Sequence, residues 1–221
     1  YFDLSLNSSP KFAVLEYVDG SSLEQKIVKA SGGKLTETEA IKVARDLAES
    51  MQLVHSKGII HKDLNPRNIM FTGEGKIKIM DFGISEALQT SRSRLEETSR
   101  AGTAPYMSPE QIIGEKVGPE ADVWSFGIII YQLLTGNLYF TNSHNRNDVL
   151  TSIKDRLDVD RDKDTRKLIQ YGAIKSIEGV STHLNNLINR CLKYDYQDRF
   201  RKFGEVLDFM SHFPVIARKK V

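Results

Sequence analysis

The chain has 221 residues, 40% of them hydrophobic and 27% charged, which is enough to bury one sizeable core and too apolar for a disordered segment. Its 31 basic and 29 acidic residues leave a formal charge of +2, which excludes a field strong enough to make nucleic acid or a membrane surface the main partner. The lone Cys191 excludes an internal disulfide or a multi-cysteine metal site and points to a reducing, cytoplasmic setting, while no apolar run approaches the ~18 residues of a membrane helix.

Tyr1 to Leu6 and Phe12 to Tyr17 flank Asn7-Ser8-Ser9-Pro10, which predicts two strands around a polar turn. In Tyr17-Val18-Asp19-Gly20 the glycine is expected to relax the backbone before Ser21 or Ser22 caps a short helix. Thr36-Glu37-Thr38-Glu39 has capping-box spacing. Ile41, Ala44, Leu47, Ala48, Met51 and Val54 then recur at helical intervals until Gly58, so a long amphipathic helix is predicted. Ile59 and Ile60 lead into a loop at His61, Ile69 to Phe71 make a short strand, Gly73-Glu74-Gly75 a turn, and Lys76 to Met80 a strand ending at Asp81.

From Gly83 to Pro109 the chain is polar and holds Thr90, Ser91, Ser93, Thr98 and Ser99, a long loop of the kind that carries function. Helices are predicted beyond it. Ala121 to Thr135 is strongly apolar, as expected of a central buried helix, and the runs near Val149 to Leu157, Leu184 to Leu192 and Phe203 to Met210 are amphipathic. Cys191 falls on the stripe Leu184, Leu187, Ile188, Cys191, Leu192, which assigns it to core packing rather than reactivity. The basic ending Arg218-Lys219-Lys220 reads as a solvated tail.

The chemistry is concentrated in an ordered series of short strings. His61 to Asn68 read H-K-D-L-N-P-R-N, and thirteen positions after Asn68 comes Asp81-Phe82-Gly83. Ser108-Pro109-Glu110 and Asp122-Val123-Trp124-Ser125-Phe126-Gly127 follow. Each string alone is weak, but their order and separations together closely resemble the large lobe of a eukaryotic-type protein kinase. The resemblance covers the whole chain and implies an α+β, two-lobed fold, represented mostly by its helical lobe. It divides the chain into residues 1–17, a two-stranded remnant of the small lobe, and residues 18–221, the hinge and large lobe. It also implies a transferase that moves the γ-phosphate of ATP to protein serine or threonine with Mg²⁺. No G-x-G-x-x-G loop and no V-A-I-K-like strand precede the hinge, so the expectation is a truncated domain, inactive alone without the missing lysine strand. Its two orphan strands would leave an uncovered sheet edge prone to aggregation.

Carried over residue by residue, the resemblance makes Asp63 the residue that takes or orients the attacking hydroxyl's proton. It makes Asn68 and Asp81 the metal ligands, two hard oxygen donors suited to Mg²⁺. The hinge would present the Glu16 carbonyl and Val18 amide to adenine, Leu15 would guard the pocket, and Leu23 and Met70 would sandwich the ring from the large-lobe side. Ser22 would reach the ribose or equally cap a helix. Asp122 would anchor the His61 loop, His61 and Phe82 would belong to an apolar spine, and Glu110 and Arg199 would form a buried ion pair. Pro66, and Gly102-Thr103 before the P-E pair, follow the serine/threonine pattern. A phosphate on Ser99 would be met by Lys62 and Arg100.

Two positions depart from the pattern. Lys62 replaces the usual arginine, keeping a cation but losing its planar fork. Asn65, expected with the other nucleotide-contacting residues, replaces the lysine that in relatives approaches the transferring phosphate, removing a positive charge unless Arg67 compensates. They keep open a kinase-fold scaffold with little chemistry. A small-molecule phosphotransferase of the same superfamily is the third reading, disfavoured by the peptide-docking segment from Gly83 to Glu110.

Overall fold

The computed structural model describes residues 3–5, 12–14, 16–82, 104–139 and 176–213. Strands β1 (Asp3–Ser5) and β2 (Phe12–Val14) pair antiparallel with Asp3 opposite Val14, as the polar turn between them predicts. A second, three-stranded antiparallel sheet is ordered β3 (Gly20–Ser22), β4 (Ile69–Thr72), β5 (Ile77–Ile79). Its last two strands match expectation; β3 does not. Gly20 is not a flexible spacer before a helix but the end of a strand lying opposite Thr72. A Cβ at Gly20 would sit 1.8 Å from the Phe71 carbonyl oxygen, so the glycine is required by close approach of two backbones rather than by an unusual φ. Gly20→Ala is therefore expected to push β3 off β4 at a cost of about 1–3 kcal/mol, read by denaturant titration. An unchanged midpoint would show that the sheet tolerates the shift.

Ser22, not Ser21, starts α1 (Leu23–Lys29). Its hydroxyl accepts the Gln25 N–H at 3.2 Å while Gln25 Oε1 accepts the Ser22 N–H at 3.0 Å, a reciprocal cap. Thr36 does the same for α2 (Glu37–Ser56), with Glu39 Oε2 accepting the Thr36 N–H at 2.9 Å and its O–H at 2.6 Å. These hydrogen bonds from Thr36 hold the Glu39 carboxyl below its ordinary pKa. The buried face of α2 is Ala40, Val43, Ala44, Leu47, Ala48 and Met51. Ile41 and Val54, predicted on that face, lie half-buried at its margins, so the inner stripe is turned slightly from the one the large residues suggest.

After the short helix α3 (Pro109–Ile113) comes α4 (Glu120–Thr135), buried continuously from Ala121 to Ile130, as its strongly apolar sequence leads one to expect. α5 (Thr182–Cys191) packs against α4, and α6 (Phe203–Ser211) packs against α2. Phe126 of α4 meets Phe203 of α6 edge to face, with ring centroids 5.5 Å apart. Gly127 lets α4 and α5 approach so closely that an added Cβ would lie 2.6 Å from Cys191 Cβ. Cys191 is buried there, as its stripe predicts, and burial pushes its thiol pKa up. The expected helix near Val149 to Leu157 and the basic tail lie outside the described residues, and among those described no helix is long and apolar enough to cross a membrane.

Candidate active site

The loop from His61 to Asn68 has no regular structure to hold it, and its anchors come from buried side chains elsewhere. Asp122, in the first turn of α4 and fully buried, accepts the His61 N–H on Oδ2 and the Lys62 N–H on Oδ1, each at 2.8 Å. Oδ2 also receives Nε2 of His55, from the end of α2, at 2.8 Å. His55 was not foreseen from sequence, since one histidine in the last turn of an amphipathic helix carries no distinguishing pattern. Lys62 and Asp81 have φ values of 64° and 55°, the non-glycine residues in left-handed backbone among those described. Such strain persists where surroundings over-determine it, and it gathers at functional sites.

His61 ties the loop to the end of β5. Its Nδ1 accepts the Asp63 N–H at 3.2 Å, which leaves Nε2 to donate to the Met80 carbonyl at 2.8 Å. Its ring lies 5.1 Å from that of Phe82, centroid to centroid, which is the contact expected of spine partners. Met80 N–H in turn donates to the Asn68 carbonyl at 2.8 Å. The chain segments carrying Asn68 and Asp81 are thereby laid side by side.

Asp63 is held by two asparagine amides. Asn68 Nδ2 donates to its main-chain oxygen at 2.9 Å and to Oδ2 at 3.1 Å; Asn65 Nδ2 donates to the same main-chain oxygen at 2.9 Å and to Oδ1 at 3.3 Å. Burial raises the Asp63 pKa above its ordinary value, with the nearby Asp81 charge adding to the rise and His61 and the two amides opposing it. A carboxylate with heightened proton affinity, fixed in direction, is suited to receive a proton. With its nitrogen engaged by Asp63, Asn68 is left its Oδ1. That oxygen and the exposed Asp81 carboxylate are hard donors of the kind that could hold Mg²⁺ beside phosphate oxygens.

Asn65 is buried and committed within the loop, since its Oδ1 also accepts the Arg67 N–H at 3.0 Å. Arg67 turns to α1, where its Nε meets Glu24 at 2.9 Å while the Glu24 N–H donates to the Pro66 carbonyl at 3.1 Å. The expected nucleotide residues are less evenly placed. Glu16 and Val18 lie outside regular secondary structure, with the Glu16 carboxylate paired to Lys78 of β5. Met70, half-buried on β4, has surface to offer a ring, but Leu23 has none and belongs to the core, so the expected sandwich loses that member. The Ser22 hydroxyl serves as the cap of α1. Leu15, Ser99, Arg100, Thr103 and the loop hydroxyls Thr90, Ser91, Ser93 and Thr98 lie outside the described residues.

Behind the site, Arg199 and Glu110 form a buried bidentate pair at 2.8 and 3.0 Å. The three remaining guanidinium donors go to the carbonyls of Lys193, Tyr194 and Glu120 at 2.7, 2.9 and 3.1 Å, and the group lies 4.8 Å from the Trp124 ring. All five donors of the fork are therefore used.

A family model described as the protein kinase domain matches residues 2–210. A probable serine/threonine-protein kinase of Clostridium acetobutylicum is 32% identical over 215 residues, covering 96% of this chain and 30% of the relative. The serine/threonine-protein kinase PknB of Mycobacterium tuberculosis is 40% identical over 131 residues, 59% of this chain and 21% of that protein. A probable PknB of Lactococcus lactis is 37% identical over 139 residues, 62% of this chain and 22% of that protein. The chain thus spans less than a third of the length of each of these relatives.

Proposed function

Because this chain belongs to the protein kinase family, we propose that it serves a serine/threonine protein kinase that transfers the γ-phosphate of ATP to protein hydroxyls. The observation that carries the reading is Asp63, aimed by two amides and raised in proton affinity, on a loop whose Asn68 end is tied to the segment carrying Asp81. Asp63 takes the proton of the substrate hydroxyl as its oxygen bonds to the γ-phosphorus and the bond to the ADP oxygen breaks. Asn68 Oδ1 and the Asp81 carboxylate would hold Mg²⁺, which supplies charge neutralisation on the phosphates. The Glu16 carbonyl and Val18 amide would meet the adenine edge and Met70 its face. Pro66 and Gly102-Thr103 favour serine or threonine over tyrosine as acceptor. Protein substrate and ATP are the proposed partners, residues 1–17 and 18–221 the proposed small-lobe and hinge-plus-large-lobe parts, and the cytoplasm the proposed setting.

The second reading is a kinase-fold scaffold. What favours it is that Asn65 is tied to Asp63 and Arg67 to Glu24, so neither residue stands in for the family's lysine.

Labelled γ-phosphate transfer from Mg-ATP to a serine, threonine and tyrosine peptide library, by the full parent protein, tests the first reading. Label on serine or threonine supports it; no transfer from a well-folded parent moves the weight to the scaffold. The pH profile adds a check on Asp63. A protonated Asp63 cannot accept the hydroxyl proton, so kcat/KM is expected to fall as pH drops through its raised pKa. The acid limb should thus stand above the usual ~4 of a free carboxylate. A limb at the ordinary value would remove burial as the tuning device.

A further inference from the structure

Gln111, in the short helix α3, makes two kinds of contact with one side chain. Its Oε1 accepts the Ser108 N–H at 3.0 Å and the Ser108 O–H at 3.1 Å, closing the cap of α3. Its Nε2 donates to the main-chain oxygen of Lys62, 49 residues earlier, at 2.7 Å. The Ser108 N–H fixes which end of the amide faces which partner, since only the amide oxygen can accept it.

Lys62 is the left-handed residue just before Asp63. Asp122 Oδ1 holds its N–H and Gln111 holds its C=O, so both peptide groups flanking the strained Cα are pinned. The Lys62 carbonyl and the Asp63 N–H also belong to one planar peptide group. His61 Nδ1 holds the nitrogen side of that plane and Gln111 the oxygen side. The plane's orientation sets the direction in which Asp63 leaves the backbone.

We propose that Gln111 is a positioning residue through which the segment around Ser108-Pro109-Glu110 sets the Lys62–Asp63 peptide plane, and with it the aim of Asp63. The proposal rests on the kinase reading for what Asp63 does. By this device a displacement of α3 beyond hydrogen-bond reach frees the strained peptide, so the catalytic loop senses whether the segment that receives a protein substrate is in place.

A plain helix cap predicts something different, and Gln111→Glu separates the two. Glutamate keeps an acceptor for Ser108, because either residue completes a capping box, but it has no donor for the Lys62 carbonyl. In the full parent protein, Gln111→Glu and Gln111→Ala are both expected to lower kcat by ~10- to 100-fold. KM for ATP should stay within about twofold, as for a loss felt in the transition state alone. Wild-type kcat in both variants overturns the proposal. Glycine adopts left-handed backbone without steric cost, so in the Lys62→Gly background the Gln111→Ala loss should shrink to about twofold. Equal losses in the two backgrounds also overturn it.

Should the parent transfer no phosphate, the functional reading fails and the positioning claim is read by hydrogen exchange instead. Amides of residues 60–65 should then exchange faster in Gln111→Glu than in wild type, while those of α4 do not change. Identical exchange in the loop would sink the idea.

Discussion

Asp63→Ala is expected to reduce phosphate transfer by ~10²–10⁴-fold, the range for removing a general base, while the melting temperature at neutral pH holds or rises. The opposite directions follow from one environment. Burial raises the Asp63 pKa, so the folded chain binds this proton more tightly than the unfolded chain does. A group shifted this way favours folding below its unfolded pKa, and that advantage is lost as pH rises through the folded pKa. Near neutrality the ionised carboxylate is therefore a strain on the fold, and alanine relieves it. The loop should survive the change, because Asn65 and Asn68 each keep a 2.9 Å bond to the main-chain oxygen of residue 63. Parallel kinetics and thermal melts decide the matter. Lost activity together with a fall of many degrees would mean that Asp63 holds the loop rather than serving the reaction.

The largest effect on stability is expected at the Arg199–Glu110 pair. Arg199→Ala strands a buried carboxylate, removes the donors of three carbonyls and leaves a void beside Trp124. Breaking a buried pair from one side costs ~3–5 kcal/mol, because the remaining charge has no compensation. For a domain of this size that is a fall in melting temperature of roughly 6–20 °C. Replacing both partners by apolar residues of similar volume, Arg199→Met with Glu110→Leu, should recover part of the loss, since two buried charges then vanish together. A single variant that melts with wild type would show that water reaches the site. A double variant no better than the single would shift the explanation to the three carbonyls.

The parts of the site joined by short stretches of chain were legible in the sequence. The spacing of Asp63, Asn65 and Asn68 is covalent and was read directly, but that Asn65 spends its amide on Asp63 and Arg67 was not. The ends of α1 and α2 and the strongly apolar α4 were also readable, because capping residues and hydrophobic period are local signals, whereas the hold of Asp122 on the His61 loop, 61 residues away, came only through the family resemblance. His55 and Gln111 were not, since their meaning lies in partners 67 and 49 residues away. Strand β3 is three residues long and reads Gly-Ser-Ser, with no alternation to mark it. The family resemblance alone sets Leu23 against the adenine ring, and nothing in the residue itself marks it as pocket lining. Its position as the first residue of α1 instead turns it wholly into the core.

The tight seat of Cys191 against Gly127 also gives the molecule an internal alarm. As the chain's only thiol, with no accessible surface and a pKa pushed up by burial, it should be silent toward alkylating reagents while α4 and α5 stay together. Its labelling rate would then time the parting of those helices, with no probe added and no other cysteine to confuse the signal.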